Sequence, residues 1–362
     1  YHPEVHRWGG GGTPAQTTQG AEVKEDVMVG SIRVPPRFAA LAHHFTAQDI
    51  TVAGVSGGRT SALMHVLALL ANPDDLLYRG VYANTGKEHE GTLTFLDHLQ
   101  KATARPLRWV EFRKPATPGA RPRDARYATV DHATASRQGQ PFVDFLETLA
   151  EFRATHKGEG PVCPNPVQRI CTAYMKVKPM AQYSLSIAPD GFDKFIGLRA
   201  DEPKRVARLS AADTSTVTHR TPLADAGITK ADVLAFWSAQ DFDLGIPEYL
   251  GNCNKCFLKD EADIAQSYFE EPGDGQWWLD IQDRFGNFRG NRNAPMRLVF
   301  AEAAVRMTVI RPAVVAGQTP ELPPGFDPRR FTLLVRQERR RLADGPTGFS
   351  CACEASQAFV DE

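Results

Sequence analysis

The 362-residue chain sets 42 Lys and Arg against 43 Asp and Glu, with 42% hydrophobic residues and a formal net charge of -1. That describes a globular protein long enough for one large α/β domain with additions, or for two domains, and a charge near zero excludes a global electrostatic lure for nucleic acid or membrane. The longest apolar run, "ALMHVLALLA" at 62–71, contains His65 and is too short to cross a bilayer, so no membrane partner is expected.

Residues 1–45 read as a flexible lead-in, and "HRWGGGGTPAQTTQG" lacks the apolar centre of a secretory signal. "DITVAGV" (49–55) predicts a strand, a Gly turn follows at 56–58, and a helix runs from Thr60 to about Ala71, where "NPDD" stops it. "LYRGVYANTG" predicts a second strand, "TLTFLDHLQKAT" a helix and "LRWVEF" (107–112) a third strand. This β-α-β-α-β order implies a doubly wound parallel sheet, with residues 56–61 and 84–88 lining one crevice at one sheet edge. From Arg113 to about Gly160 an Arg-, Pro- and Ala-rich stretch predicts an irregular insertion before a helix near 141–154. "CTAYMKVKPMAQYSLSI" keeps a helical period despite Pro179, "DKFIGL" (193–198) predicts a fourth strand, and a capped helix begins near Thr229. Further helices are expected near 294–309 and 328–342.

Three chemistries use a strand, a Gly-rich turn and a helix. A Walker A loop counted from Gly54 puts Arg59 where its second Gly belongs and Thr60 where its Lys belongs, so it fails. The nucleophile elbow G-x-S-x-G fits Gly54-Val55-Ser56-Gly57-Gly58, yet one strand alone precedes it and no HGGG-type segment is present. The third reading is an anion nest. The amides of Ser56, Gly57, Gly58 and Arg59, the positive end of the next helix, and the hydroxyls of Ser56, Thr60 and Ser61 would face a phosphate; a Gly-rich connection without a ligand is the bland version.

"SGGRTS" (56–61) resembles the S-G-G-x-[DT]-S loop of PP-loop ATP pyrophosphatases and adenine nucleotide alpha-hydrolase-like proteins. "ANTGKEHEGTL" (83–93) is similar to the second signature of phosphoadenosine phosphosulfate (PAPS) reductases. "CPNPVQRICTAYMKVKPM", "FIGLRADEPKRVAR", "HRTPL" and "GNCNKCFLK" look like later blocks of PAPS-reductase-like proteins of phages and mobile elements, so the likeness covers about 49–260. It implies a Rossmann-like nucleotide-binding domain over 46–260 with a cysteine-held metal insertion, and leaves 261–362 as a helical extension ending in a Cys-containing tail. Ser56, Gly57, Gly58, Thr60 and Ser61 would embrace the phosphates of ATP or PAPS, with Arg59 in the same loop. Asn84, Thr85 and Gly86 would lie beside the nucleotide, where Asn84 replaces the reductases' usual Asp. Arg199 and Arg205 suit a polyphosphate or sulfonucleotide because forked guanidinium groups bind such oxygens in pairs; the plainer alternative pairs them with Asp201 and Glu202.

Six cysteines in three groups are too few for a disulfide scaffold and point to metal or redox work in a reducing cytoplasm. Cys253 and Cys256 share one C-x-x-C loop, and Cys163 with Cys171 could complete a four-thiolate site for zinc or an iron-sulfur cluster. The family resemblance implies [4Fe-4S]. It also implies, from the reductases' catalytic cysteine near the C-terminus, that Cys351 or Cys353 attacks a sulfonucleotide sulfur and its neighbour resolves the product. Glu88 ranks above His89 as a turn residue able to touch substrate or Mg²⁺, His65 reads as a core histidine, and Trp277 and Trp278 read as packing. The Arg-rich segments 105–126, 284–311 and 329–341 read as solvated faces, with nucleic-acid binding as the alternative.

Three functions follow as expectations. The first is a PAPS-reductase-family enzyme performing sulfur redox or transfer chemistry on an adenine nucleotide, served by a thiol donor of electrons or sulfur. The second is an ATP pyrophosphatase that adenylates DNA or RNA for sulfur insertion, and the third is a non-enzymatic nucleotide-sensing zinc module.

Overall fold

The computed structural model describes residues 25–344 apart from 75, 210–211, 252 and 291–292. Chain order begins with a hairpin of β1 (Val27–Val29) and β2 (Ile32–Val34), then α1 (Pro36–Ala39), β3 (Thr51–Gly54), α2 (Arg59–Ala71), β4 (Tyr78–Asn84), α3 (Glu90–Ala102) and β5 (Arg108–Arg113). It continues through β6 (Arg126–Val130), α4 (Gln140–Lys157), α5 (Lys178–Ile187), β7 (Phe192–Phe195), α6 (Pro203–Leu209), β8 (Val217–Arg220), α7 (Pro222–Asp225) and α8 (Lys230–Trp237). Helices α9 (Glu261–Glu270), α10 (Gly275–Phe285), α11 (Met296–Val305), α12 (Arg311–Val315) and α13 (Pro328–Asp344) complete the described chain.

A six-stranded sheet in the order β6-β5-β4-β3-β7-β8 organises the protein, parallel throughout except for the antiparallel edge strand β6. Alternation along the strands serves two buried faces. Val52, Val81, Ala83 and Val110 pack against Met180 and Tyr183 of α5, whereas Ala53, Tyr78 and Tyr82 meet Leu63, Leu67, Phe95 and Leu99 of α2 and α3. The fold is α/β, with a mostly parallel, Rossmann-like sheet covered on both sides. Strand order reverses at β3, whose neighbours are β4 on one side and β7 on the other, so the loops leaving these strands frame a switch-point crevice.

Several segments differ from expectation, among them strand β8, which the sequence reading did not foresee. Residues 27–45, assigned above to the lead-in, are folded: Val29, Ile32, Val34, Phe38 and Phe45 join the α2 core, and the Ser31 amide donates to Ala102 O at 2.7 Å. The insertion contains β6, whose Arg-rich sequence hides a strand held by register with β5. The helix over Cys171–Ile187 opens into π-type turns at Thr172–Val177 ahead of Pro179, which has no N–H to give an α-helical bond.

The described residues beyond 260 do not pack apart from the rest. Phe142 and Phe145 of α4 share one core with Cys163, Met175, Trp278, Phe288 and Phe300, and Trp277 and Trp278 are packing residues as expected. Farther out, the buried Arg306 donates to Glu338 at 2.6 Å and pairs with Glu261, while Arg330 pairs with Glu302 at 2.7 Å. Much of the Arg content of these segments is thus spent in internal ion pairs that tie α13 to α9 and α11.

Candidate nucleotide and cysteine site

The turn after β3 is built by its own hydroxyls. Ser61 Oγ accepts from the Ser56 amide at 3.0 Å, lies 3.1 Å from Ser56 Oγ and donates to Gly58 O at 3.1 Å. Gly57 holds φ +82°, and a Cβ there would stand 2.4 Å from Thr92 Cγ2, so glycine is required both for the bend and for the approach of α3. Gly58 opens α2 in an extended conformation without a side-chain cap. The amides of Gly57, Gly58, Arg59, Thr60 and Ser61 have no hydrogen-bond partner among the described residues, as is general for the first turn of a helix.

Ser56 differs from the anion-nest expectation, because its amide is spent on Ser61. The Arg59 side chain also turns away, making a bidentate pair with Asp243 at 2.6 and 2.7 Å, so only its amide faces the turn. Arg199, from the loop after β7, sits beside the turn with Nη1 3.3 Å from Thr60 Oγ1. It also pairs with Asp201 and Glu202, and Arg205 pairs with Glu202, which is the plainer alternative for both arginines. Gly197, which carried no weight in the sequence, lets this loop close on α2: a Cβ there would meet Ser61 Cα at 3.3 Å. A glycine just past a strand was its one available signal.

The turn after β4 is consumed internally. Asn84 is fully buried, its amide nitrogen donating to Glu111 at 2.6 Å and Ser136 O at 2.9 Å, and its oxygen accepting from the Gly86 amide. Gly86, at φ +80°, packs against Gly139 and Pro141. Glu88 Oε2 accepts from the Thr85 amide at 3.0 Å and the Thr85 hydroxyl at 2.8 Å, and Glu88 Oε1 lies 3.4 Å from Lys176 Nζ and 3.7 Å from Cys253 Sγ. A backbone bridge pairs Glu88 with Cys253, and the Asn254 amide donates to Lys87 O at 2.8 Å. His89 caps α3 by accepting from Gly91 and pairs with Glu271.

Cys163, Cys171, Cys253 and Cys256 are free thiols in this neighbourhood. Burial raises each thiol's pKa; the Cys171 thiol is pushed up to about 12, first by burial and then by Cys256. Lys176 answers them. Burial alone lowers its ammonium, but Glu88 and the thiols of Cys253, Cys256 and Cys171 outweigh that and move it upward. Nothing in the sequence separates Lys176 from nearby Lys178; the π-type turns place it. Among the described residues no group of three or more His, Cys, Asp or Glu could hold a metal ion. The donor chemistry nonetheless suits a thiolate-held group, since bound metal displaces thiol protons and a buried cation offsets the charge left behind. Cys351 and Cys353 lie outside the described residues.

The chain resembles a phage protein. Over 256 residues, 69% of this chain and 80% of the relative, it is 28% identical to an uncharacterized nin region protein, ORF290, of Escherichia phage lambda. No family model matches. Among the described residues no helix is long and apolar enough to cross a membrane.

Proposed function

We propose that the protein binds an adenine nucleotide, ATP or PAPS, at the turn after β3 and carries out sulfur redox or transfer chemistry beside its cysteine cluster. The observation that carries this reading is the run of unpartnered amides from Gly57 to Ser61 at the switch point, with the Arg199 guanidinium beside Thr60. These donors suit phosphate oxygens, and the Thr85–Glu88–Cys253 contacts connect the same sheet edge to the thiols. Cys163, Cys171, Cys253 and Cys256 would hold a [4Fe-4S] cluster, which supplies redox and electrostatic capacity when bound. Lys176 and Glu88 then position the Cys253 loop against β4. In the reductase version a thiolate of Cys351 or Cys353 takes the sulfonate sulfur from PAPS and releases the nucleotide. The second thiol displaces sulfite and leaves a disulfide, so two thiols are oxidised for each sulfur reduced.

Calorimetric titration with ATP and PAPS side by side, followed by product analysis, tests the proposal. Binding of PAPS with sulfite release supports reduction, whereas binding of ATP with pyrophosphate release moves the chemistry to adenylation of an acceptor. Failure of both nucleotides to bind overturns the reading. Anaerobic purification with iron, sulfide and zinc analysis tests the cluster separately, and zinc without iron or sulfide removes it.

A further inference from the structure

The opposite edge of the sheet holds a cleft of about 770 Å³ that the nucleotide reading does not use. It lies where β4 and β5 begin, between the α3–β5 connection and the end of β6. Leu69, Leu107 and Val130 give it apolar wall, and Tyr78, Trp109 and Tyr183 add ring surface. Gly80 shapes the floor: a Cβ there would stand 2.6 Å from Leu107 and 2.7 Å from the His65 ring, so glycine lets both side chains close on the strand.

Arg79, Lys101, Arg105, Arg108 and Asp131 supply the charge of the lining. Lys101 pairs with Asp97 at 2.6 Å, Arg79 donates to Tyr78 O at 2.7 Å, Arg105 donates to Pro73 O, and Asp131 is engaged by the Thr134 amide and hydroxyl at 2.8 and 2.7 Å. Arg108 is exposed, with its guanidinium 5.7 Å from the centre of the Tyr183 ring. Two of the lining residues carry buried polar atoms without a partner. His65 Nδ1 lies 2.9 Å from the Tyr78 hydroxyl, while His65 Nε2 and Trp109 Nε1 are buried and unpartnered among the described residues.

We propose that this cleft is a second ligand site, for a small aromatic anion. The planar body would lie against Leu107, Val130 and the ring edges, and its acidic group would meet the exposed Arg108. Apolar wall alone would suit a neutral ring and cations alone a bare anion; the two together select a molecule with both parts. The site is independent of the turn after β3, which occupies the other end of the strands.

Titration of the full chain with 1-naphthyl phosphate, 1-naphthol and inorganic phosphate separates these parts. The expected result is saturable binding of 1-naphthyl phosphate at least about tenfold tighter than either fragment. Arg108→Glu removes the anion contact and Thr129→Trp fills the mouth, both at exposed positions on β5 and β6, and each should weaken binding by about tenfold or more. Gly58→Ala, in the nucleotide turn, should leave it unchanged. Absence of saturable binding, inorganic phosphate binding as tightly as the naphthyl ester, or indifference to both cleft substitutions would overturn the proposal.

Discussion

The turns after β3 and β4 leave neighbouring parallel strands at the same edge of the sheet, yet they use their polar groups in opposite ways. After β3, side chains bond to one another and leave successive amides unpartnered. After β4, the Asn84, Thr85 and Glu88 side chains are all engaged inside the protein, joining the sheet to the cysteine loop and to the segment after β6. First-turn amides of a helix have no intrahelical partner and can donate to an external anion, so the first arrangement is the one proposed above for binding, while the second acts as a structural joint. Two loops that look alike in sequence, each with hydroxyls and glycine after a strand, thus differ in whether their polar groups are used inside the protein.

The sharpest way to break this division is Glu88→Ala. It removes the acceptor shared by the Thr85 amide and hydroxyl and leaves the largely buried Lys176 without its carboxylate, for an expected loss of about 3 kcal/mol. Urea unfolding measures it, and Glu88→Gln, which keeps an acceptor but not the charge, should lose less. A change below about 1 kcal/mol for Glu88→Ala would show that the β4 turn is not the joint described.

Adjacent glycines in the β3 turn sharpen the same contrast. Gly57→Ala meets Thr92 at 2.4 Å in a left-handed conformation and should cost roughly 2–3 kcal/mol. Gly58→Ala places its Cβ no closer than 3.9 Å to the nearest recorded atom, Ser56 Oγ, so stability should change by less than about 1 kcal/mol. Nucleotide affinity should nevertheless fall by about tenfold, because the new methyl stands among the amides proposed to bind phosphate. Parallel unfolding and calorimetry distinguish the two outcomes.

A pH experiment carries the comparison to the far end of the strands. Burial holds His65 neutral by lowering its pKa from 6.5 to about 3. The unfolded chain therefore binds the extra proton first as pH falls. Its contribution to stability is complete above pH 6.5 and declines toward pH 3, by up to about 1.4 kcal/mol per unit. Comparing urea midpoints of the wild type and His65→Gln across pH 7 to 4 isolates this slope, and identical slopes would remove His65 as its source.

How far the sequence reached follows the same physics. The strands at 51–54, 78–84 and 108–113 and helices α2 and α3 were legible because apolar period and turn residues agree there. β6 was not, because an edge strand gains its place from pairing with β5 rather than from its own "RYATV" pattern. The Ser56–Ser61 turn stood out by composition, but the outward path of Arg59 depends on Asp243, a residue 184 positions away. Asn84 illustrates the same limit: its signature position suggested a ligand contact, while Glu111 and Ser136 draw its side chain inward. The proximity of Lys176 to Glu88 and the thiols needed the π-type turns, which local propensity does not encode.

The smallest expected effect lies at the other end of α3, the helix that starts beside the β4 turn. Its C-terminus closes with the Ala104 amide donating to Lys101 O and the Arg105 amide to Gln100 O, a cap that places Ala104 at φ +53°. Glycine ordinarily occupies this position because a Cβ crowds the left-handed backbone, so Ala104→Gly relieves local strain while adding freedom to the unfolded chain. The balance should favour the variant by about 0.5–1 kcal/mol in urea unfolding, without a change in nucleotide affinity. A gain in stability accompanied by unchanged binding would show that α3 can be tightened without altering the β3 turn; a shift in nucleotide affinity would instead couple the two ends of the sheet and break the separation between the proposed binding turn and the structural joint.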